Sequence, residues 1–255
     1  MNTGQHRLRN PLVLFLAPIL LLAMGAFPDI GCSDGGPAVR GSGNVVTDDR
    51  AVSGFHGVEV RNQGNLVITF GSEESLVVEA EDNLLEHLAS EVRNGILYFD
   101  TIPSGTNIRT RKPIVYHLTA VSLDSLSTSS AGSITVPAME VDSLVVDISS
   151  AGSVEIESLI AHALRASLSS AGNLRIQAGA VIDQIVSVSS AGKYDAENMS
   201  SERANLNLSS AGKATVLVNE YLEADISSVG NLYYSGEAEV DVNTSSMGKA
   251  IRLDD

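Results

Sequence analysis

The stretch DISSAGSVEI, residues 147–156, contains a four-residue phrase that the chain repeats. SSAG begins at Ser129, Ser149, Ser169, Ser189 and Ser209, then returns as SSVG at Ser227 and SSMG at Ser245. The intervals are 20, 20, 20, 20, 18 and 18 residues. A fixed period of that length marks stacked structural units, each able to bury its apolar face only against its neighbours.

The residues around the phrase say what the unit is. Three positions before its first Ser stand Leu126, Val146, Ala166, Val186, Leu206, Ala224 and Val242, and one before it Thr128, Ile148, Leu168, Val188, Leu208, Ile226 and Thr244. Five after it come Ile134, Val154, Leu174, Tyr194, Ala214, Leu232 and Ala250. Seven after it the column runs Val136, Ile156, Ile176, Ala196, Val216 and Tyr234, and Arg252 breaks it. The intervening positions are mostly polar. Alternation on both sides of SSAG predicts two short strands, each with one face inward. The phrase itself is then the bend, with glycine supplying the backbone angles and Ser and Ala small enough to stack on their copies. The predicted turn residues are Ser129 with Gly132, Ser149 with Gly152, Ser169 with Gly172, Ser189 with Gly192, Ser209 with Gly212, Ser227 with Gly230, and Ser245 with Gly248. A second bend is expected where the repeats vary most, as in PAMEVDS (137–143) and QAGAVID (177–183). The fold class is therefore all-β, a right-handed parallel β-helix of seven coils, each 18–20 residues long. The composition agrees: no Trp, 22 Gly and few aromatics.

The whole chain divides into four stretches. In residues 1–31, Arg7 and Arg9 precede the apolar run Leu12–Phe27, the pattern of a secretory signal. The run is interrupted by Pro18 and is short for a membrane span. Two processing patterns fit it. Gly31-Cys32 is arranged like a lipoprotein signal, with the only cysteine, Cys32, receiving the lipid. Cleavage near Gly25 or Ala26 would instead leave Cys32 a free thiol. Residues 32–44 read as a flexible tether. Residues 45–120 read as strands with one helix, Asp82–Val92, N-capped by Asp82 and presenting Leu84, Leu85, Leu88 and Val92 on one face. Asn94-Gly95 reads as the turn that follows it. This stretch is expected to close the N-terminal end of the column, whose strand edges need protection. Residues 121–255 hold the repeats, continuous with residues 45–120 as one domain.

The formal net charge is −15, and removing residues 1–31 takes away Arg7, Arg9 and Asp29, deepening it by one. Such an exterior argues against binding nucleic acid.

At this point the residues resemble a known family. Phe55–Val60 (F-x-G-V-x-V), Gly64–Ile68 (GNLVI) and the NLL…NG-x-L run ending at Leu97 look like the opening of the putative auto-transporter adhesin, head GIN domain, and so do the SSAG coils. The resemblance spans about residues 41–253. It implies an exported bacterial β-helical protein of the cell surface or periplasm, and it carries no catalytic motif to transfer. No amphipathic strands follow the last coil before Asp254-Asp255, so a translocating barrel is not expected from this sequence.

Could the repeated serines be nucleophiles? A nucleophilic Ser needs a base beside it and a group to orient that base. The candidates His56, His87, His117 and His162 do not recur with the phrase, and no G-x-S-x-G elbow is present. Carboxylates that could serve a polysaccharide-acting enzyme are Asp147, Glu155 and Glu157, or Asp195 and Glu197. Their alternate spacing is also that of a solvated strand face. No calcium loop or zinc spacing appears, so no metal and no cofactor are expected. The basic run RTRK, Arg109–Lys112, is a solvated loop or meets an anionic partner. The reading is a non-enzymatic exported envelope protein, adhesin-like, whose repetitive polar surface meets an envelope glycan or a surface protein. It would touch the membrane only through a lipid on Cys32. A polysaccharide-acting enzyme and a periplasmic protein-binding scaffold are the alternatives.

Overall fold

A computed structural model describes residues 38–253; the leader and Cys32 lie outside them. The chain starts with β1 (Val39–Arg40), β2 (Val45–Arg50), β3 (Gly57–Val60), β4 (Asn65–Phe70) and β5 (Ser75–Glu81). A 3-10 turn (Asp82–His87) leads to β6 (Leu88–Arg93), β7 (Ile96–Thr101), β8 (Ile108–Arg109) and β9 (Val115–Ala120). The coils follow as β10 (Ser125–Thr128), β11 (Ser133–Val136), β12 (Met139–Ile148), β13 (Ser153–Ile156), β14 (Leu159–Leu168), β15 (Asn173–Ile176) and β16 (Gly179–Val188). They end with β17 (Lys193–Leu208), β18 (Lys213–Ile226), β19 (Asn231–Ser235), β20 (Glu239–Thr244) and β21 (Lys249–Arg252).

This is a parallel β-helix, with 63% of the described residues in strands. From β10 onward the strands pair in parallel with those one coil on: Leu126 lies on Val146, Leu144 on Leu164, Val154 on Leu174 and Val186 on Leu206. Three sides result. The segment before each SSAG corner forms the first side, the segment after it the second. The third side carries residues 139–141, 159–161, 179–181 and 199–201, also in register. The solenoid makes about 6 turns rather than seven, because seven corners enclose one fewer complete circuit. The two 18-residue intervals are absorbed on the third side, where the β17–β18 register shifts between Ala196 and Ser200 and again between Ser201 and Arg203. The corners stay aligned.

Side chains of the four apolar columns fill the interior. Val154, Leu174, Tyr194, Ala214 and Leu232 are 0% exposed, and Ile148, Leu168, Val188 and Ile226 are nearly so. At about 1.5–3 kcal/mol for each fully buried Val, Leu or Ile, these ladders are the main source of stability.

The corner itself differs from the sequence expectation. From the third phrase onward it is the second Ser and the residue after it that adopt left-handed backbone: Ser170 and Ala171 (φ 50° and 70°), Ser190 and Ala191, Ser210 and Ala211, Ser228 and Val229, Ser246 and Met247. The following Gly amide donates to the carbonyl of the first Ser, as from Gly192 to Ser189 at 2.9 Å. Two left-handed central residues closed by that bond are the pattern of a type I′ turn, whose usual occupants are Asn-Gly. The glycines of the phrase are needed for a different reason. A Cβ on Gly212 would stand 2.5 Å from the carbonyl oxygen of Val188 one coil away, and on Gly248 2.6 Å from that of Ile226. Glycine here permits close stacking, not the turn angle.

The N-terminal end is closed by a rearranged stack. β3 and β4 are themselves a rung, with Gly64 in the position of an SSAG glycine, and they pair in parallel with β10 and β11. On their other side lie β7 and β9, which come later in the chain. β6 then runs antiparallel on β7, β5 antiparallel on β9, and β2 antiparallel on β5.

Two expectations are corrected here. The predicted helix Asp82–Val92 is a 3-10 turn that ends at His87. From Leu88 the chain is claimed by a hairpin with β7 through Asn94-Gly95, both left-handed (φ 51° and 79°). Pairing with the sheet overrides a local helical pattern whose key residues, Leu84 and Leu88, are buried in either conformation. Asp82 is not an N-cap either; its carboxylate accepts from Ser42 Oγ, Asn44 Nδ2 and the Asn83 amide. The predicted tether is ordered from Val39, because β1 pairs in parallel with β8 and residues 41–44 wrap a buried carboxylate. That carboxylate is Glu81. Its oxygens accept the amides of Gly43 at 2.6 Å, Arg111 at 2.8 Å and Lys112 at 3.4 Å. The backbone of the RTRK run thus serves the fold. Burial pushes the Glu81 carboxyl up, but these amides and the Arg111 charge outweigh it and hold it below the usual range.

Two measurements test this description. Within one corner, Ala211→Gly should raise stability by about 1 kcal/mol by relieving a left-handed alanine. Gly212→Ala should lower it by at least as much, and both are read from denaturant midpoints. Because the folded pKa of Glu81 is depressed, its contribution is present above the unfolded value near 4.5 and is lost as pH falls through the lower folded value. Glu81→Gln should cost at least about 1 kcal/mol at pH 7 and flatten the acid limb of the stability–pH curve.

Candidate functional site

Because coils overlay in strict register, any outward column is a vertical row of side chains about 4.8 Å apart. On the first two sides most of these rows are polar or charged, such as Ser133, Ser153 and Asn173 followed by Lys193 and Lys213, with Ile185 an exposed exception. The third side is different. There the outward row Glu140, Ile160, Ala180, Ser200 runs beside the bend residues Asp142, His162, Ile182 and Glu202. Together they line an open groove of about 850 Å³ that crosses four coils.

The groove is acidic and aliphatic. Its walls carry the carboxylates of Glu140, Asp142 and Glu202, its middle carries Ile160, which is 53% exposed, and no Lys, Arg or aromatic residue lines it. His162 Nδ1 lies 2.6 Å from Asp142 Oδ1, an exposed pair linking adjacent coils. Just behind the rim, Arg203 donates to both oxygens of Asp183, at 2.7 and 3.0 Å, and stands near Glu202 and Glu220. The bidentate bond from Arg203, less a small burial effect, holds the Asp183 carboxyl below its ordinary range. Arg203 is thus engaged by Asp183 and also reaches Glu202, and Asp142 pairs with His162, so among the described residues Glu140 is the wall carboxylate with no ion-pair partner. The floor is rigid: Ala161 and Val181 point into the core, and the buried Ser201 hydroxyl donates to the Leu217 carbonyl at 3.1 Å while accepting from Gln184 Nε2 at 2.7 Å.

The residues singled out from sequence are not brought together. Asp147 lies exposed on the first side; Glu155 lies on the second, held by Gln177 at 2.7 Å. Asp195 is paired with Lys193 at 3.2 Å. Among the described residues no group of three or more His, Cys, Asp or Glu side chains is placed to hold a metal ion. The corner serines have no histidine partner among their hydrogen bonds; Ser129 Oγ donates to Glu59 and Ser150 Oγ to the Ser129 carbonyl. His56, His117 and His162 each face a carboxylate instead, and His87 lies near Glu86 and the Ile102 carbonyl. Cys32 lies outside the described residues. Glu140, Asp142 and Glu202 were not singled out from sequence, and His162 was considered only as a base for the corner serines; all four fall in the segment that varies from repeat to repeat. The signal was the 20-residue offset, which sets Glu140 and Asp142 one coil from Ile160 and His162.

Comparison with known proteins bears on this geometry. The family model of the putative auto-transporter adhesin, head GIN domain, matches residues 54–238. A crystal structure from Bacteroides fragilis, described as a putative adhesin, is 20% identical and superposes with a TM-score of 0.77 over 85% of this chain and 100% of its own. Another, from Parabacteroides distasonis and described as a putative lipid binding protein, is 21% identical with a TM-score of 0.70 over 86% and 100%. A putative adhesin from Parabacteroides merdae is 16% identical, with a TM-score of 0.65 over 85% and 99%. At these identities the likeness is one of fold. No curated protein matches the sequence.

Proposed function

This chain belongs to the family of the putative auto-transporter adhesin, head GIN domain, and on that premise we propose that it is an adhesin-like binding protein displayed at the cell envelope. Family membership and the adhesin descriptions of its structural relatives support the adhesin-like reading. The apolar leader with its Gly31-Cys32 junction supports export and a lipid anchor. Among the described residues no helix is long and apolar enough to cross a membrane.

The observation that carries the choice of ligand is the groove on the third side. It crosses the strands, so an occupant cannot extend the sheet and must be held through side chains. An aliphatic strip at Ile160, Ala180 and Ile182 between acidic walls suits an extended protein segment carrying Lys or Arg next to apolar residues. A glycan is less well served, since no Trp, Tyr or Phe lines the groove for a sugar face to stack on. The lipid-binding description of one relative finds less support, because the columns of the coil interior are filled by side chains.

The test is fluorescence anisotropy of a labelled peptide of alternating Lys and Ile against the wild type and the variant Glu140→Gln/Asp142→Asn/Glu202→Gln. Three carboxylates at about 0.2–1 kcal/mol each predict weakening of about tenfold, with binding that falls as salt is raised. Unchanged affinity in the triple variant would refute the assignment.

A further inference from the structure

The two ends of the solenoid are unlike. At the N-terminal end, β5 and β6 cover the last rung and β2 covers β5. At the other end, among the described residues, β20 pairs only with β18 and β21 only with β19. Their outer edges carry free backbone donors and acceptors, and the inward column is uncovered there. Val240 is 37% exposed and Val242 and Ala250 are half-buried, whereas Leu222, Ala224 and Leu232 one coil earlier are sealed. An open edge above an uncovered core is a surface that pairs.

The charges on this edge say with what. β20, EVDVNT, is purely anionic, with Glu223 and Asp225 on the coil below it; β21, KAIR, is purely cationic, and the strand below it, NLYYS, carries no charge. One molecule therefore presents an acidic edge and a basic edge on either side of the Ser245–Gly248 corner. The only simple operation that sets every acidic edge on a basic one is a two-fold axis normal to the stack and passing through that corner.

We propose that two copies of this chain join end to end through their last coils, β20 of each pairing antiparallel with β21 of the other. The two-fold reverses strand direction, because β20 runs toward the corner and β21 away from it. The register that sets Val242 opposite Ala250 keeps both alternations in phase and covers these two apolar side chains, with Val240 facing Arg252, the residue that breaks the inward column. The same register places Asp241 diagonal to Lys249, within reach for a long side chain. Both seams are made twice, as an isologous contact requires, and the assembly closes at two. The proposal does not depend on the groove: the groove lies on the third side, and a dimer would display two of them at opposite ends of a doubled column.

The experiment is sedimentation velocity of the full chain, expressed with its own leader, with circular dichroism to confirm the fold of each variant. Wild type should sediment as a dimer, and Asp241→Lys and Lys249→Glu should each sediment as monomers. An equimolar mixture of the two variants should regain the dimer, since the two altered edges then meet each other on one seam and the native pair meets on the other. A monomeric wild type, a dimer that ignores either substitution, or a mixture that stays monomeric would each overturn the proposal. If Lys249→Glu has no effect while Asp241→Lys strengthens association, β20 meets β20 and this geometry is wrong.

Discussion

The amide of Ala191 donates to the carbonyl of Ser210 at 3.0 Å, and the same bond links Ala171 to Ser190, Ala211 to Ser228 and Val229 to Ser246. This ladder at the corner sets the spacing and phase of everything else. It forms because two consecutive residues accept a left-handed backbone, which costs each about 1 kcal/mol. The cost is carried by bonds in two directions, one closing the turn inside the coil and one to the next coil. It also requires that the residue after them have no Cβ, since the neighbouring carbonyl occupies that space. A side chain at Gly212 would push one coil off the other and break the register of both adjoining sides.

Once the corner is aligned, the rest of the coil is free to differ. The 18-residue coils lose their two residues on the third side, and the β17–β18 pairing recovers its phase within a few residues. The third side is thus the place where length and residue type vary without disturbing the core. The acidic groove is found there, while the outward rows of the first two sides are mostly polar or charged. A scaffold that confines its irregularity to one side can change what it binds without changing how it stacks.

The coils were legible in the sequence because their physics repeats. Alternation around SSAG identifies inward columns, and Val154, Leu174 and Leu232 are buried where that alternation puts them. Less was legible where a residue's state depends on non-repeated partners. Asp82–Val92 has a helical apolar spacing, yet its second half is a strand because β7 offers a full set of backbone bonds. SSAG announces a bend, but which of its residues is left-handed follows from the contact of glycine with the coil below, invisible in a single repeat. The groove residues share no residue type from coil to coil, so only the offset connects Glu140 with Ile160. Residues 41–44 look like a linker by composition, and only the buried Glu81, 38 residues from Gly43, explains their order.

One irregularity in the core ties these themes together. Tyr194 stands in a column otherwise built of Ile, Val, Leu and Ala, and it is fully buried. The buried residues around it in the register are small: Ala196 and Ala204 follow it in its own coil, and Ala214 is its partner in the next. Its hydroxyl, whose pKa burial drives upward, needs a partner, and Gln184 supplies one at 2.9 Å where the coils below have Leu164 and Leu144. Gln184 in turn must satisfy its amide, which it does on Ser201, and Ser201 passes the bond to the Leu217 carbonyl. A single large aromatic therefore propagates a chain of polar requirements across three coils to the inner face of the third side. It ends directly beneath Ser200 and Glu202, so the part of the groove wall with the least regular register is also the part anchored most firmly to the core.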